Sequence, residues 1–185
     1  MGRLKETVKH MARWLPHTNA RLFAIVIEIE EKVADTKEMA KLEKEFHDQD
    51  MKVSIIHPVR PKDSFAQRYF SLVNVMYAAR NDKTEWVVLI DDDTFFPSMH
   101  DLQNLLSRYD SSKEQYIGSL SEDWWAVNNY GLMGFGGAGI MISLPLAKII
   151  DDHTDECKEH LRTTAGDITV MDCIYRFSST KLTHV

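Results

Sequence analysis

Short apolar runs alternate with amphipathic stretches along most of the chain. Leu22 to Ile29 opens with six apolar residues in succession and predicts a strand. From Thr36 to Gln49, Met39, Leu42 and Phe46 form one stripe among charged neighbours, the pattern of a polar-surfaced helix. Met51 to Pro58, with Val53, Ile55 and Ile56, predicts a second strand. Ser64 to Arg80 reads as a helix, because Phe65, Tyr69, Leu72, Val73, Met76 and Tyr77 recur at helical spacing. The unbroken run Trp86 to Ile90 predicts a strand buried on both faces of a parallel sheet. Ser98 with Asp101 three residues later opens a helix that runs to about Tyr109.

The stretch from Tyr116 to Gly139 breaks this rhythm. It is aromatic, glycine-rich and without a clear period, and an interruption of that kind inside an α/β domain is usually functional. Ile140 to Ile142 then resembles a strand, and Ile168 to Tyr175 has helical spacing. Strand–helix alternation of this sort is the signature of an α/β sandwich.

Composition narrows the class without naming a function. The 185 residues predict a single domain with a full core. The 28 acidic residues outnumber the 22 basic ones, giving a net charge of −6. That is the wrong sign for a phosphate-backbone binder, so nucleic acid is not an expected partner. No window of 18 uncharged apolar residues is present, so no membrane segment is expected in this chain. Cys157 and Cys173 permit one disulfide, but two lone thiols are equally ordinary on residue grounds.

Four groups of residues carry candidate chemistry. Asp91, Asp92 and Asp93 follow the Trp86 strand directly, and open α/β sheets bind ligands beyond the carboxyl ends of their strands. Adjacent carboxylates repel one another, and their oxygens suit Mg²⁺ or Mn²⁺ better than Zn²⁺. Gly134, Gly136, Gly137 and Gly139 lie within six residues, which points to positive φ or close backbone approach to a ligand. The cluster formally matches G-x-G-x-x-G, but a following strand rather than a helix argues against a dinucleotide site. Trp124 and Trp125 sit in a segment that reads as loop and are either a sugar platform or inward anchors. Asp167 is either the N-cap of the Ile168 helix or a general base on a rigid element. His153, Cys157 and His160 have metal-like spacing, but their charged neighbours favour a solvated helix face over zinc.

The run Glu85-Trp86-Val87-Val88-Leu89-Ile90-Asp91-Asp92-Asp93-Thr94-Phe95-Phe96 resembles the W-x₄-D-D-D-T-[FY] motif of fringe-like β-1,3-glycosyltransferases. Gly136-Gly137-Ala138-Gly139 resembles that superfamily's glycine box, and Gly166-Asp167 with Cys173 resembles its acidic catalytic segment. Ser121 to Val127 is closest to a branch found largely in fungi and plants, and matching elements begin near Trp14-Leu15-Pro16.

The resemblance implies a GT-A-like, Rossmann-like αβα sandwich with a mostly parallel sheet. It further implies a UDP-sugar donor, a glycan or glycoprotein acceptor, Mn²⁺ or Mg²⁺, and the lumen of the Golgi or secretory pathway. Asp93, with Asp91, takes the metal-ligand role. Asp91, Asp92, Gly136 and Gly137 lie against the donor, Trp124 and Trp125 against the acceptor, and Asp167 is the catalytic base. An oxidising lumen also implies that Cys157 and Cys173 are close enough to bridge. By the same resemblance the domain is partial, lacking an earlier strand of the uridine pocket and a later metal-ligand histidine. His184 does not match that later motif, and the alternative reading is an inactive fragment acting at most as a carbohydrate-binding module.

Overall fold

The computed structural model describes residues 2–25, 36–121 and 123–185. In chain order the elements are α1 (Gly2–Met11), β1 (Leu22–Ile25), α2 (Thr36–His47), β2 (Val53–Ile56), α3 (Phe65–Ala78), β3 (Trp86–Leu89) and α4 (Met99–Leu106). They are followed by β4 (Tyr116–Gly118), α5 (Trp124–Tyr130), β5 (Ile140–Ser143), α6 (Leu144–Asp152), α7 (Thr154–Glu159), α8 (Gly166–Phe177) and β6 (Leu182–His184). The continuation of the first predicted strand to Ile29 lies outside the described residues, as does Glu122. No described helix is long and apolar enough to cross a membrane. The chain is a mixed α/β protein of the Rossmann-like GT-A type, and it divides into two compact units.

The first unit holds residues 1–61 and 92–108. Its strands β1 and β2 pair in parallel, with Leu22 opposite Val53. Met39, Leu42 and Phe46 are buried on one stripe of α2, as the spacing predicts. Glu43 on the same helix accepts a hydrogen bond from the Ile55 amide at 2.6 Å, tying the helix to β2. Helix α1 is an addition to the predicted elements. Its buried Val8 and Met11 continue into buried Leu15, a stripe at spacings of three and four.

The second unit holds residues 62–91 and 109–185. Its four strands run in the order β3-β5-β4-β6. β5 is antiparallel to both β3 and β4, whereas β4 and β6 are parallel, so this sheet is mixed where a mostly parallel one was expected. All four residues of β5 are buried, while β3 alternates, with Val87 and Leu89 buried and Trp86 and Val88 half-buried. β3 lies at the edge of the described sheet and buries one face fully and the other only in part, so its continuous apolar run does not signal burial on both faces. A short apolar run alone does not separate the two cases.

Helices α3, α6 and α8 pack on one another around Phe70, Val73, Leu146, Ile150, Val170 and Met171. α3 begins in a full capping box, with Ser64 and Gln67 each accepting the other's backbone amide. Cys157 and Cys173 form a disulfide between α7 and α8, with Cα atoms 5.3 Å apart. The bridge removes Cys157 from any zinc set, and the His153 ring stacks on Phe177 at 3.8 Å instead. Buried Lys158 meets the Asp63 carboxylate at 2.8 Å and also reaches Ser71, fastening α7 to the start of α3.

Candidate active site

The strand β3 delivers Asp91 to its carboxyl end, half-buried within the second unit. The backbone of Gly136 lies against it. A Cβ placed on Gly136 would stand 3.1 Å from Asp91 Oδ1 and 2.7 Å from the Tyr69 hydroxyl oxygen. Gly136 to Ala138 form a short 3-10 turn, and Gly139, at φ 90°, leads from it into β5. The glycine cluster is therefore a tight turn into a strand, and glycine is needed where it crowds Asp91 and where φ is positive. Gly137 lies under the Phe135 ring, whose nearest carbon would be 2.7 Å from a Cβ there.

Two tyrosines hold this loop in place. Tyr116 in β4 accepts a hydrogen bond from the Gly134 amide at 2.7 Å, and Tyr175 in α8 donates to the Leu132 carbonyl at 2.6 Å. The Phe135 amide adds a bond to Ser119 O at 2.9 Å.

Asp167 joins the same neighbourhood from the first turn of α8. It is not the N-cap, which is Ala165; Asp167 is the second helical residue, and its Oδ1 accepts from the Ile168 amide at 2.8 Å. A carboxylate in the first turn is also favoured by the positive end of the helix dipole. Burial raises the Asp167 pKa above its ordinary 3.8, opposed by hydrogen bonds from the Ile168 and Gly136 amides. Asp91, Gly136 and Asp167 are thus brought together around one turn, with Tyr69 of α3 beside them.

Asp92 and Asp93 belong to the first unit, where Asp92 is half-buried and Asp93 exposed. They line a cleft of about 290 Å³ with Thr94, Phe95 and the α1 side of that unit, which contributes Glu6, Thr7, His10 and Arg13. The Arg13 guanidinium lies 5.4 Å above the Phe95 ring. Arg13 and His10 bring basic groups to a cleft that also holds three carboxylates, those of Glu6, Asp92 and Asp93.

Asp91 offers carboxylate oxygens in the second unit and Asp92 and Asp93 in the first, and oxygens of this kind suit hard divalent ions. Among the described residues no three His, Cys, Asp or Glu side chains are grouped as a ligand cage. An ion such as Mg²⁺ that keeps several waters and takes substrate phosphates as ligands needs only one or two carboxylates. Carboxylate oxygens are the donor type that open arrangement uses.

Trp124 and Trp125 are not in a loop but open the helix α5, because Asp123 caps it by accepting from the Trp125 and Ala126 amides. Neither is an inward anchor: Trp124 is 76% and Trp125 56% exposed, with Leu132 and Phe135 exposed nearby in sequence. Trp125 meets the edge of Tyr130 at 5.8 Å between ring centres.

Sequence patterning alone passed over His10, Arg13 and Tyr69. The first two required α1, whose apolar stripe was legible but unread. Tyr69 occupies an apolar stripe that phenylalanine would fill as well, so no pattern separates its hydroxyl from its ring.

Comparison with known proteins accords with the motifs. The sequence pattern of a family described as Fringe-like matches residues 35–185. The chain is 27% identical over 123 residues to human chondroitin sulfate synthase 3, covering 62% of the chain and 14% of that protein. The mouse chondroitin sulfate synthase 3 matches over the same extent at the same identity. Human beta-1,3-glucosyltransferase is 34% identical over 74 residues, 40% of the chain and 14% of that protein. The chain thus aligns with about one seventh of the length of each of these relatives.

Proposed function

The chain belongs to the fringe-like family, and on that footing we propose that it is catalytic-domain sequence of a metal-dependent, inverting glycosyltransferase. The reaction moves a hexose or N-acetylhexosamine from a UDP-sugar to a hydroxyl of a glycan or glycoprotein, in β-1,3 linkage. The observation that carries this reading is the convergence of Asp91 and Asp167 on the Gly136 turn at the carboxyl end of β3. Two carboxylates with different surroundings at a strand end permit a division of labour between donor binding and proton transfer.

In this reading Asp93, with Asp91, holds Mn²⁺ or Mg²⁺. Asp91, Asp92, Gly136 and Gly137 lie against the donor. When bound, the ion neutralises charge growing on the departing diphosphate. Asp167 accepts the proton of the acceptor hydroxyl as that oxygen bonds to the anomeric carbon and the bond to UDP breaks. A partly buried base of raised pKa suits this task better than a fully solvated one. Trp124 and Trp125 offer apolar faces to the C–H surface of an acceptor sugar. The Cys157–Cys173 bridge supports an oxidising compartment, the Golgi or secretory-pathway lumen.

Calorimetric titration of UDP with and without Mn²⁺ tests the reading. The wild-type chain binds UDP only with the metal, and Asp93→Ala abolishes that binding. Because Asp93 is exposed, the melting temperature stays close to wild type. Unchanged UDP affinity in Asp93→Ala contradicts the metal role. Binding of simple glycosides without any binding of UDP favours a carbohydrate-binding module instead, resting on the exposed tryptophan pair.

A further inference from the structure

Tyr69 is 8% exposed, and its hydroxyl has no hydrogen-bond partner among the described residues. Buried phenols ordinarily find one. This unit satisfies its others nearby, since Tyr116 is bonded to the Gly134 amide and Tyr175 to the Leu132 carbonyl. Phenylalanine would fill the same apolar stripe of α3 without stranding an oxygen.

The ring is also held firmly. A Cβ on Gly166 would lie 2.4 Å from Tyr69 Cγ and 2.5 Å from its Cβ, so the root of the side chain rests directly on the α8 backbone. At the other end, the hydroxyl oxygen and Asp91 Oδ1 stand within 2.7 and 3.1 Å of one point above Gly136. One glycine accommodates the base of the ring and another its tip, leaving the oxygen beside the site described above.

We propose that the Tyr69 hydroxyl is a sugar-binding group, donating a hydrogen bond to a hydroxyl of the transferred sugar while that hydroxyl donates to the Asp91 or Asp167 carboxylate. The neighbourhood selects this chemistry. The phenol O–H is a donor, and Asp91, whose Oδ1 approaches the same point above Gly136, offers only acceptors when ionised. A neutral sugar hydroxyl accepts from the phenol and donates to a carboxylate at once.

The assignment rests on the transferase reading, and the test separates the two. Calorimetry in Mn²⁺ compares UDP with the tightest binder among UDP-glucose, UDP-galactose and UDP-N-acetylglucosamine, for the wild-type chain and Tyr69→Phe. The variant weakens the UDP-sugar roughly three- to tenfold, the loss of one neutral hydrogen bond. It leaves UDP unchanged and keeps or raises the melting temperature, because it removes an oxygen that has no protein partner. Equal UDP-sugar affinity in the two proteins overturns the subsite and leaves the transferase reading intact. Equal weakening of UDP and UDP-sugar, or a lowered melting temperature, assigns the hydroxyl to the nucleotide or to the fold and also overturns it. A wild-type chain that binds none of these ligands overturns the transferase reading itself, and the subsite with it.

Discussion

The Gly136 backbone lies near enough to the Asp167 carboxylate to help hold its pKa down, which sets the glycine turn before β5 beside the first turn of α8. Two segments 31 positions apart in the chain thereby share one small volume with Asp91. Side chains held this way keep their geometry because each is fixed by backbone close to its root.

The two glycines around Tyr69 differ in what an added methyl meets, and this ranks their alanine variants. Gly136→Ala presses on the Tyr69 hydroxyl at 2.7 Å and on Asp91, both side-chain tips. Gly166→Ala presses on Cγ and Cβ at the ring root, which move only if α3 or α8 moves. Overpacking costs typically about 1–3 kcal/mol, and Gly166→Ala falls at or above the top of that range while Gly136→Ala falls lower. Denaturant unfolding of the two variants checks the order, and a larger loss in Gly136→Ala contradicts it.

The disulfide closes a loop between residues 16 apart in sequence. Loop-closure entropy assigns such a bridge on the order of 3 kcal/mol. The double variant Cys157→Ser/Cys173→Ser loses about that much stability in denaturant unfolding under oxidising conditions. Adding reductant then changes the wild-type protein and leaves the variant unmoved. Equal stability of the two proteins without reductant shows the thiols to be unbridged in solution.

Asp167 also predicts a pH dependence. A base acts only when deprotonated, so kcat/KM falls as pH drops through its pKa. Burial raises that pKa above 3.8, which puts the acid limb at higher pH than an unperturbed aspartate gives. The sign for stability is opposite. The charged form is the one burial disfavours, so ionisation of Asp167 costs stability above its raised pKa and nothing below 3.8. A pH–rate profile of the active protein checks the limb; its placement at or below the ordinary aspartate value contradicts the assignment.

Much of the architecture was legible in the residues because local signals and packing agree. The stripes of α2 and α3, the Ser98 cap and the run into the acidic triplet each specify what the chain does there. Disagreement arose where a pattern was ambiguous. Val87 and Leu89 are buried while Trp86 and Val88 are only half-buried, since a short apolar run does not reveal whether one face of its strand is covered or both. Trp124 and Trp125 looked like loop because their helix is one of seven residues, yet Asp123 before it and Gly131 after it are ordinary start and stop residues. Asp167 was misplaced by two positions relative to the cap, as its side chain bonds the next amide rather than one two or three residues on. The Tyr69 hydroxyl was invisible because only three-dimensional packing shows it to be unpaired.

The most direct measurement compares donor binding and turnover in Asp167→Asn with the wild-type protein, using an active preparation. Asparagine keeps one oxygen acceptor for the Ile168 amide but loses the carboxylate's charge, so a stability loss of about 1 kcal/mol or less is expected. Metal-dependent UDP-sugar binding stays near wild type, because the base acts on the acceptor. Turnover falls by roughly 10²- to 10⁴-fold, the range of general-base catalysis. Near-normal turnover in Asp167→Asn, with losses confined to stability, would contradict the account.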